Sequence, residues 1–105
     1  MLRIYGVVLE VVRELRGTIG LIERRDPDLA RQLRRAAASV ALNVSEGSYS
    51  KGRNRGARYH DAMGSMRETL ACLEVGMALG YIERIDTQVR GHIDHILGTL
   101  YKLST

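Results

Sequence analysis

The stretch YHDAMGSMRETLACLEVGMALGYI, residues 59–82, decides the fold class. Its apolar residues Tyr59, Met63, Met66, Leu70, Leu73 and Met77 are spaced 4-3-4-3-4. A helix turns about 100° per residue, so this spacing lines all six along one stripe, a heptad seam. No part of the chain alternates apolar and polar residues with period two for long enough to make a half-buried strand. Gly80 follows the last periodic residues, where a left-handed helix terminus favours glycine, with Tyr81 and Ile82 beyond it for an apolar contact. The spacing predicts a helix from about Asn54 to Leu79.

Three more helices can be read around it. Upstream, Leu29, Leu33, Ala36, Val40 and Val44 mark one face of a helix from Pro27 to about Glu46, with Asp26 as its N-cap and proline in its first turn. Gly47 is the predicted stop, as a left-handed C-terminal residue. Before it, Ile4, Val8, Val11, Val12, Leu15, Ile19 and Ile22 predict a helix from about Leu2 to Glu23. After Gly80, Ile85, Val89, Ile93, Ile96, Leu100 and Leu103 predict a helix from about Asp86, its cap, to Leu103. Four amphipathic helices joined by short links give an all-α, antiparallel up-and-down four-helix bundle. The chain has 105 residues, the size of one domain, and residues 1–105 are read as a single unit.

Composition narrows the class. The chain is 45% hydrophobic and 27% charged, which suits a packed globular protein rather than a disordered one. The lone Cys72 excludes an intrachain disulfide framework. No signal-like segment and no uncharged run near membrane-spanning length is visible, so the expectation is a cytoplasmic protein without a membrane partner. Seven glycines fall inside the predicted helices (Gly6, Gly17, Gly20, Gly64, Gly76, Gly91 and Gly98). Each costs about 0.5–1 kcal/mol against alanine, and close helix approach within or between chains is one way to offset that.

The net charge is +4 and unevenly placed. Residues 31–58 hold seven basic side chains and one acid, for +6, which leaves −2 on the rest. Arg31, Arg34 and Arg35 lie on the helix face opposite Leu33 and Val40, and Lys51, Arg53, Arg55 and Arg58 follow the helix end. A concentrated basic segment points to an anionic partner. Cations at a helix C-terminus gain from the dipole, which suffices for Lys51 and Arg53. Arg55 and Arg58 lie near the next helix start, where the dipole disfavours them, whereas guanidinium forks match phosphate oxygens. These seven cations are the candidate nucleic-acid contacts, with Tyr49 as a base-stacking candidate. Tyr59, on the seam, belongs to the core. Because the chain reverses after the helix, Arg53, Arg55 and Arg58 are expected around its Glu46 end, with Arg31, Arg34 and Arg35 about two to three turns back extending the patch along the same bundle.

Other polar residues read as structural. Ser39 and Asn43 border the basic face; Asn43, Glu46, Ser65 and Glu68 suggest a hydrogen-bond network rather than catalysis. Glu46, an acid in a last turn, needs a cation such as Arg35, Lys51 or one from another protomer. Ala38 and Leu42 point outward and suggest a protomer contact. His92 and His95 share a helix face, yet no glutamate stands three residues before any histidine, so the Glu-x-x-His pattern of di-metal bundles is missing. Neither a phosphate-binding loop nor a nucleophile motif is present: residues 52–56 lack the Walker spacing. No metal, no cofactor and no enzymatic activity is expected.

QLRRAAASVALNVSEG (residues 32–47) and the opening stretch together resemble the small four-helix-bundle proteins encoded in bacterial 23S rRNA intervening sequences, a family that includes the accessory variability proteins of diversity-generating retroelements. The matching positions are Gln32, Arg35, Ala36, Ser39, Asn43, Glu46 and Gly47, then Ala62, Gly64, Ser65 and Glu68, then Leu79, Gly80 and Tyr81. The match spans about residues 27–82; Asp26 stands where an aromatic residue is expected. The resemblance implies a ring-like homo-oligomer, typically a pentamer, with a basic surface for RNA or DNA, and, in the retroelement branch, a reverse transcriptase partner. Two readings result: a non-enzymatic oligomeric bundle that binds nucleic acid electrostatically, or a homo-oligomeric module that docks a protein such as a reverse transcriptase.

Overall fold

The computed structural model describes residues 3–105, so the expected start at Leu2 lies outside the described residues. The described residues form five helices: α1 (Arg3–Glu14), α2 (Arg16–Arg25), α3 (Pro27–Tyr49), α4 (Arg53–Ala78) and α5 (Thr87–Leu103). No strand occurs among the described residues.

Five helices stand where four were expected, because the first segment divides at Leu15. Its φ/ψ of −78°/−10° flattens the helix locally. The backbone bonds Leu15 N–H to Val11 O (2.9 Å) and Ile19 N–H to Leu15 O (2.8 Å) continue through the break. The two halves also face different neighbours, α1 packing on α5 and α3 and α2 on α3. One core stripe, Ile4, Val8, Val11, Leu15, Ile19 and Ile22, still runs through both.

The most extensive packing is between α3 and α4. Ser39 meets Ser65, while Gly47 faces Tyr59 and Gly76 faces Leu29. Residue numbers rise on one helix as they fall on the other, so the pair is antiparallel. The heptad seam of α4 is buried at Tyr59, Met63, Met66 and Leu73, but Met77 is exposed. A second buried row, Ala62, Thr69, Cys72 and Gly76, continues through half-buried Ser65 and turns toward α3. Small side chains on both helices allow a close approach.

Gly47 does not end α3. The helix continues to Tyr49, and the only left-handed residues described are Gly52 (φ 62°) and Gly80 (φ 80°). Gly47 is a helical residue whose missing side chain leaves room for Tyr59: a Cβ there would lie 2.5 Å from Tyr59 Cε1. The reversal is made instead by Ser50, Lys51 and Gly52, a shorter link than the expected Ser48–Arg53. Of the seven glycines expected inside helices, Gly76 alone meets a neighbour: its Cβ would lie 3.2 Å from Ile22 Cδ1.

The remaining boundaries follow from side-chain and backbone bonds. Asp26 Oδ1 accepts from Leu29 N–H (3.0 Å), and Asp86 Oδ2 accepts from Gln88 and Val89 N–H. Gly80 closes α4 with Tyr81 N–H to Gly76 O (2.9 Å) and Gly80 N–H to Met77 O (3.1 Å), the paired bonds of a Schellman terminus. Tyr81 then donates to Asp26 Oδ2 (3.3 Å), and its ring lies 5.6 Å from the Arg25 guanidinium carbon. Asp26, in place of an aromatic residue, thus caps α3 and ties the end of α4 to the α2–α3 turn.

Candidate nucleic-acid interface

At the α3–α4 reversal the chain exposes Lys51, Arg53, Arg55 and Arg58. The short link and the first turns of α4 hold them within eight residues. Arg58 Nε pairs with Glu46 Oε2 at 3.2 Å, so Glu46 finds its cation on α4 rather than in Arg35 or Lys51. Arg55 Nε donates to Ser50 O at 3.0 Å, closing the end of α3. Lys51 and Arg53 make no ion pair among the described residues. The first turn of α4 contains no acid and Gly52 offers no side-chain cap, so the helix dipole adds to the positive potential there. Glu46 is the sole acid from residue 31 to residue 58. Tyr49, 77% exposed, stands beside this end.

The α3 arginines lie elsewhere. Arg35 and Arg31 are 11 and 15 residues from Glu46, about 16 and 22 Å along the axis. Arg31 pairs with Asp28 (2.6 Å), and Arg34 reaches across to Glu23 on α2 (3.5 Å). Arg35 has no ion pair among the described residues. The basic segment therefore forms two groups: the α3 arginines lie about three to four turns from the Glu46 end, a turn further than expected, and Asp28 and Glu23 hold Arg31 and Arg34.

Between the two groups lies a polar seam. Asn43 Nδ2 donates to Ser39 O (3.0 Å) and Ser39 Oγ (3.1 Å); Ser39 Oγ shares a bond with Ser65 Oγ (2.9 Å). Thr69, fully buried, donates to Ser65 O at 2.8 Å, which satisfies its hydroxyl within the helix. Above the serine pair opens a groove of about 570 Å³. Gln32, Arg35 and Ala36 form one wall, Glu68 the other, and Asp28 and Arg31 close one end. Gln32 and Glu68 make no hydrogen bond or ion pair among the described residues. Of the four polar residues read as a network, Asn43 and Ser65 belong to this seam, Glu46 pairs instead with Arg58, and Glu68 lines the groove.

The outer face of α3 carries Ala38, Leu42 and Tyr49, all exposed, with Leu42 at 64%. Leu21, Val75 and Leu79 add exposed apolar surface on other helices.

Sequence reasoning missed the partner of His92. The His92 Nδ1 lies 2.9 Å from Glu14 Oε1, a half-buried pair joining α5 to α1 beside the break. A glutamate 78 positions away leaves no local pattern to find. Burial raises the Cys72 thiol above its ordinary value, with Glu68 adding to the shift. Burial also raises the Tyr59 phenol, which Arg55 partly opposes, and raises Tyr81, to which Asp26 adds. Among the described residues no three His, Cys, Asp or Glu side chains gather into a metal-holding group, and no helix is long and apolar enough to cross a membrane.

Comparison with known proteins gives a family and a fold. A family model described as 23S rRNA-intervening sequence protein matches residues 3–102. No curated protein matches. A 1.70 Å crystal structure of a protein of unknown function from the S23 ribosomal protein family of Bacteroides thetaiotaomicron VPI-5482 superposes with a TM-score of 0.81 at 16% identity. The match covers 97% of this chain and 98% of that one.

Proposed function

The chain belongs to the family of 23S rRNA-intervening sequence proteins, and on that premise we propose that it is a non-enzymatic, oligomeric helical bundle that holds RNA or DNA by its phosphates. Its α1 and α2 act as one bent limb of an antiparallel four-helix bundle. The observation that carries the reading is the exposed cation cluster Lys51, Arg53, Arg55 and Arg58, four cations beside two acids, Glu46 on Arg58 and Asp61 in a cavity shared with Arg53. Arg55 and Arg58 also hold Ser50 and Glu46; Lys51 and Arg53 make no ion pair among the described residues, and beyond the dipole of the α3 end they are open to an anion. Arginine forks at such an end bind phosphate oxygens without reading sequence. Tyr49 offers an adjacent face on which a base can stack. Arg35 extends the contact along α3. The test is binding of structured RNA, duplex DNA and a hybrid by the parent and by an Arg53/Arg55/Arg58→Gln variant. The variant should keep its helicity and lose most of its affinity for all three; unchanged affinity would refute the reading.

A second reading has its own observation, the exposed Ala38–Leu42 face. An exposed leucine alone is ordinary, but here it sits on the outer face of the most densely packed helix pair. We infer that copies associate through it, a ring such as a pentamer being the form that repeats the cation cluster around an axis. Sedimentation equilibrium should give several times the monomer mass, and Leu42→Glu should reduce it to one without unfolding. A monomeric parent at micromolar concentration removes this reading. Binding of an acidic protein, such as a reverse transcriptase, in preference to nucleic acid would move the cation cluster to that partner class.

A further inference from the structure

We propose that the α3–α4 groove is a nucleobase pocket that selects guanine from an unpaired strand, Arg35 and Glu68 reading opposite edges of the base. The proposal deepens the nucleic-acid reading, from which it takes the strand. Arg35 and Glu68 face one groove from two helices, yet neither makes an ion pair within 4.0 Å with any described residue. A cation and an acid held apart across a groove suit a ligand that presents acceptors on one edge and donors on the other. Guanine is the base with that polarity: O6 and N7 accept a bidentate arginine, and N1–H and N2–H₂ donate side by side to one carboxylate. Adenine, cytosine and uracil lack an edge of two parallel donors.

The floor adds a donor. Ser39 and Ser65 share a single bond, and Asn43 already donates to Ser39 Oγ. Two hydroxyl protons serve one bond, so one O–H remains for the groove. Arg31, held by Asp28 at the groove's end, presents a guanidinium plane of the kind on which splayed bases stack. The volume, about 570 Å³, lies within the roughly 300–1,000 Å³ range of small-ligand sites. Ser65 lies seven residues from Arg58 on α4, about 10 Å along the axis. One strand thus spans the cation cluster and the groove.

The experiment measures binding of the pentaribonucleotides UUGUU, UUAUU and UUUUU to the full chain by fluorescence anisotropy, and of guanosine and adenosine monophosphates by amide chemical shifts. UUGUU should bind about tenfold or more tightly than the other two, the discrimination expected of one bidentate pair. Guanosine monophosphate, and not adenosine monophosphate, should shift the amides of residues 32–39 and 65–69. Glu68→Gln, whose amide opposes N2–H₂ with a donor, should abolish the preference and leave UUUUU binding unchanged; Arg35→Lys, which keeps charge but loses the fork, should also abolish the preference. Equal binding of the three oligonucleotides overturns the pocket and leaves the phosphate reading standing. If no oligonucleotide binds, the phosphate reading fails, and the mononucleotide shifts alone decide the pocket. A guanine preference that survives Glu68→Gln also overturns it.

Discussion

Replacing Gly47 by alanine tests the packing of α3 on α4 at its closest point. The new Cβ would lie 2.5, 2.8 and 3.0 Å from three carbons of the Tyr59 ring. Carbon contacts are optimal at about 3.5–4.0 Å, so roughly 1 Å of movement is required. Tyr59 is 1% exposed, with core on every side, and cannot swing into solvent. Overpacking of this kind costs about 1–3 kcal/mol. Alanine's helix propensity returns about 0.5–1 kcal/mol, since Gly47 is helical and not left-handed. The net should be a loss of up to about 2.5 kcal/mol, read as a lower urea midpoint with unchanged slope. The control is Gly98→Ala, where a Cβ meets nothing within 4 Å and the propensity term alone should stabilise by about 0.5–1 kcal/mol. Adding Tyr59→Leu to Gly47→Ala should cost less than the sum of the two single changes, because the clash is removed. If Gly47→Ala stabilises as much as Gly98→Ala, the close contact is not there and the packing argument fails.

Two further predictions concern stability. Asp26→Ala removes the cap of α3 and the acceptor of Tyr81, and should lower stability by about 0.5–2 kcal/mol, visible as a drop of several degrees in Tm; an unchanged Tm would mean that the cap carries no weight. Cys72 and Tyr59 are raised above their ordinary 9.0 and 10.0 by burial, so the unfolded chain releases these protons first. Stability is therefore complete below pH 9 and declines as pH rises through the folded values; urea midpoints from pH 7 to 11 check this, and Tyr59→Phe should flatten the upper part of the decline.

The readable parts of the fold were those carried by large apolar residues at helical spacing. Five residues of the α5 stripe, the α1–α2 stripe and four of the six seam residues on α4 need no more than the 3.6-residue period. Apart from Ala36, which the apolar face of α3 already included, the α3–α4 contact was hidden because it is built from Ser39, Asn43, Gly47, Ala62, Ser65, Cys72 and Gly76, small or polar side chains that stand off the large apolar stripe. Gly47 drew the wrong reading because a glycine near a helix end suits a cap as well as a close approach. The break at Leu15 has no proline or cap to announce it. In the candidate site, charge concentration was legible but its geometry was not. Asp28, three residues before Arg31 on the same helix, was a legible partner, whereas Glu23 takes up Arg34 only once α2 and α3 are packed.

Phosphate binding by the α3–α4 end is tested most directly by its salt dependence. The affinity of the parent for a structured RNA should fall steeply and linearly on a log–log plot against salt. Loss of three arginine contacts in the Arg53/Arg55/Arg58→Gln variant should lower the slope by about 2–3, at roughly 0.7–0.9 per phosphate contact. A variant with the parental slope and affinity would show the cluster to be a solvated surface and contradict the account.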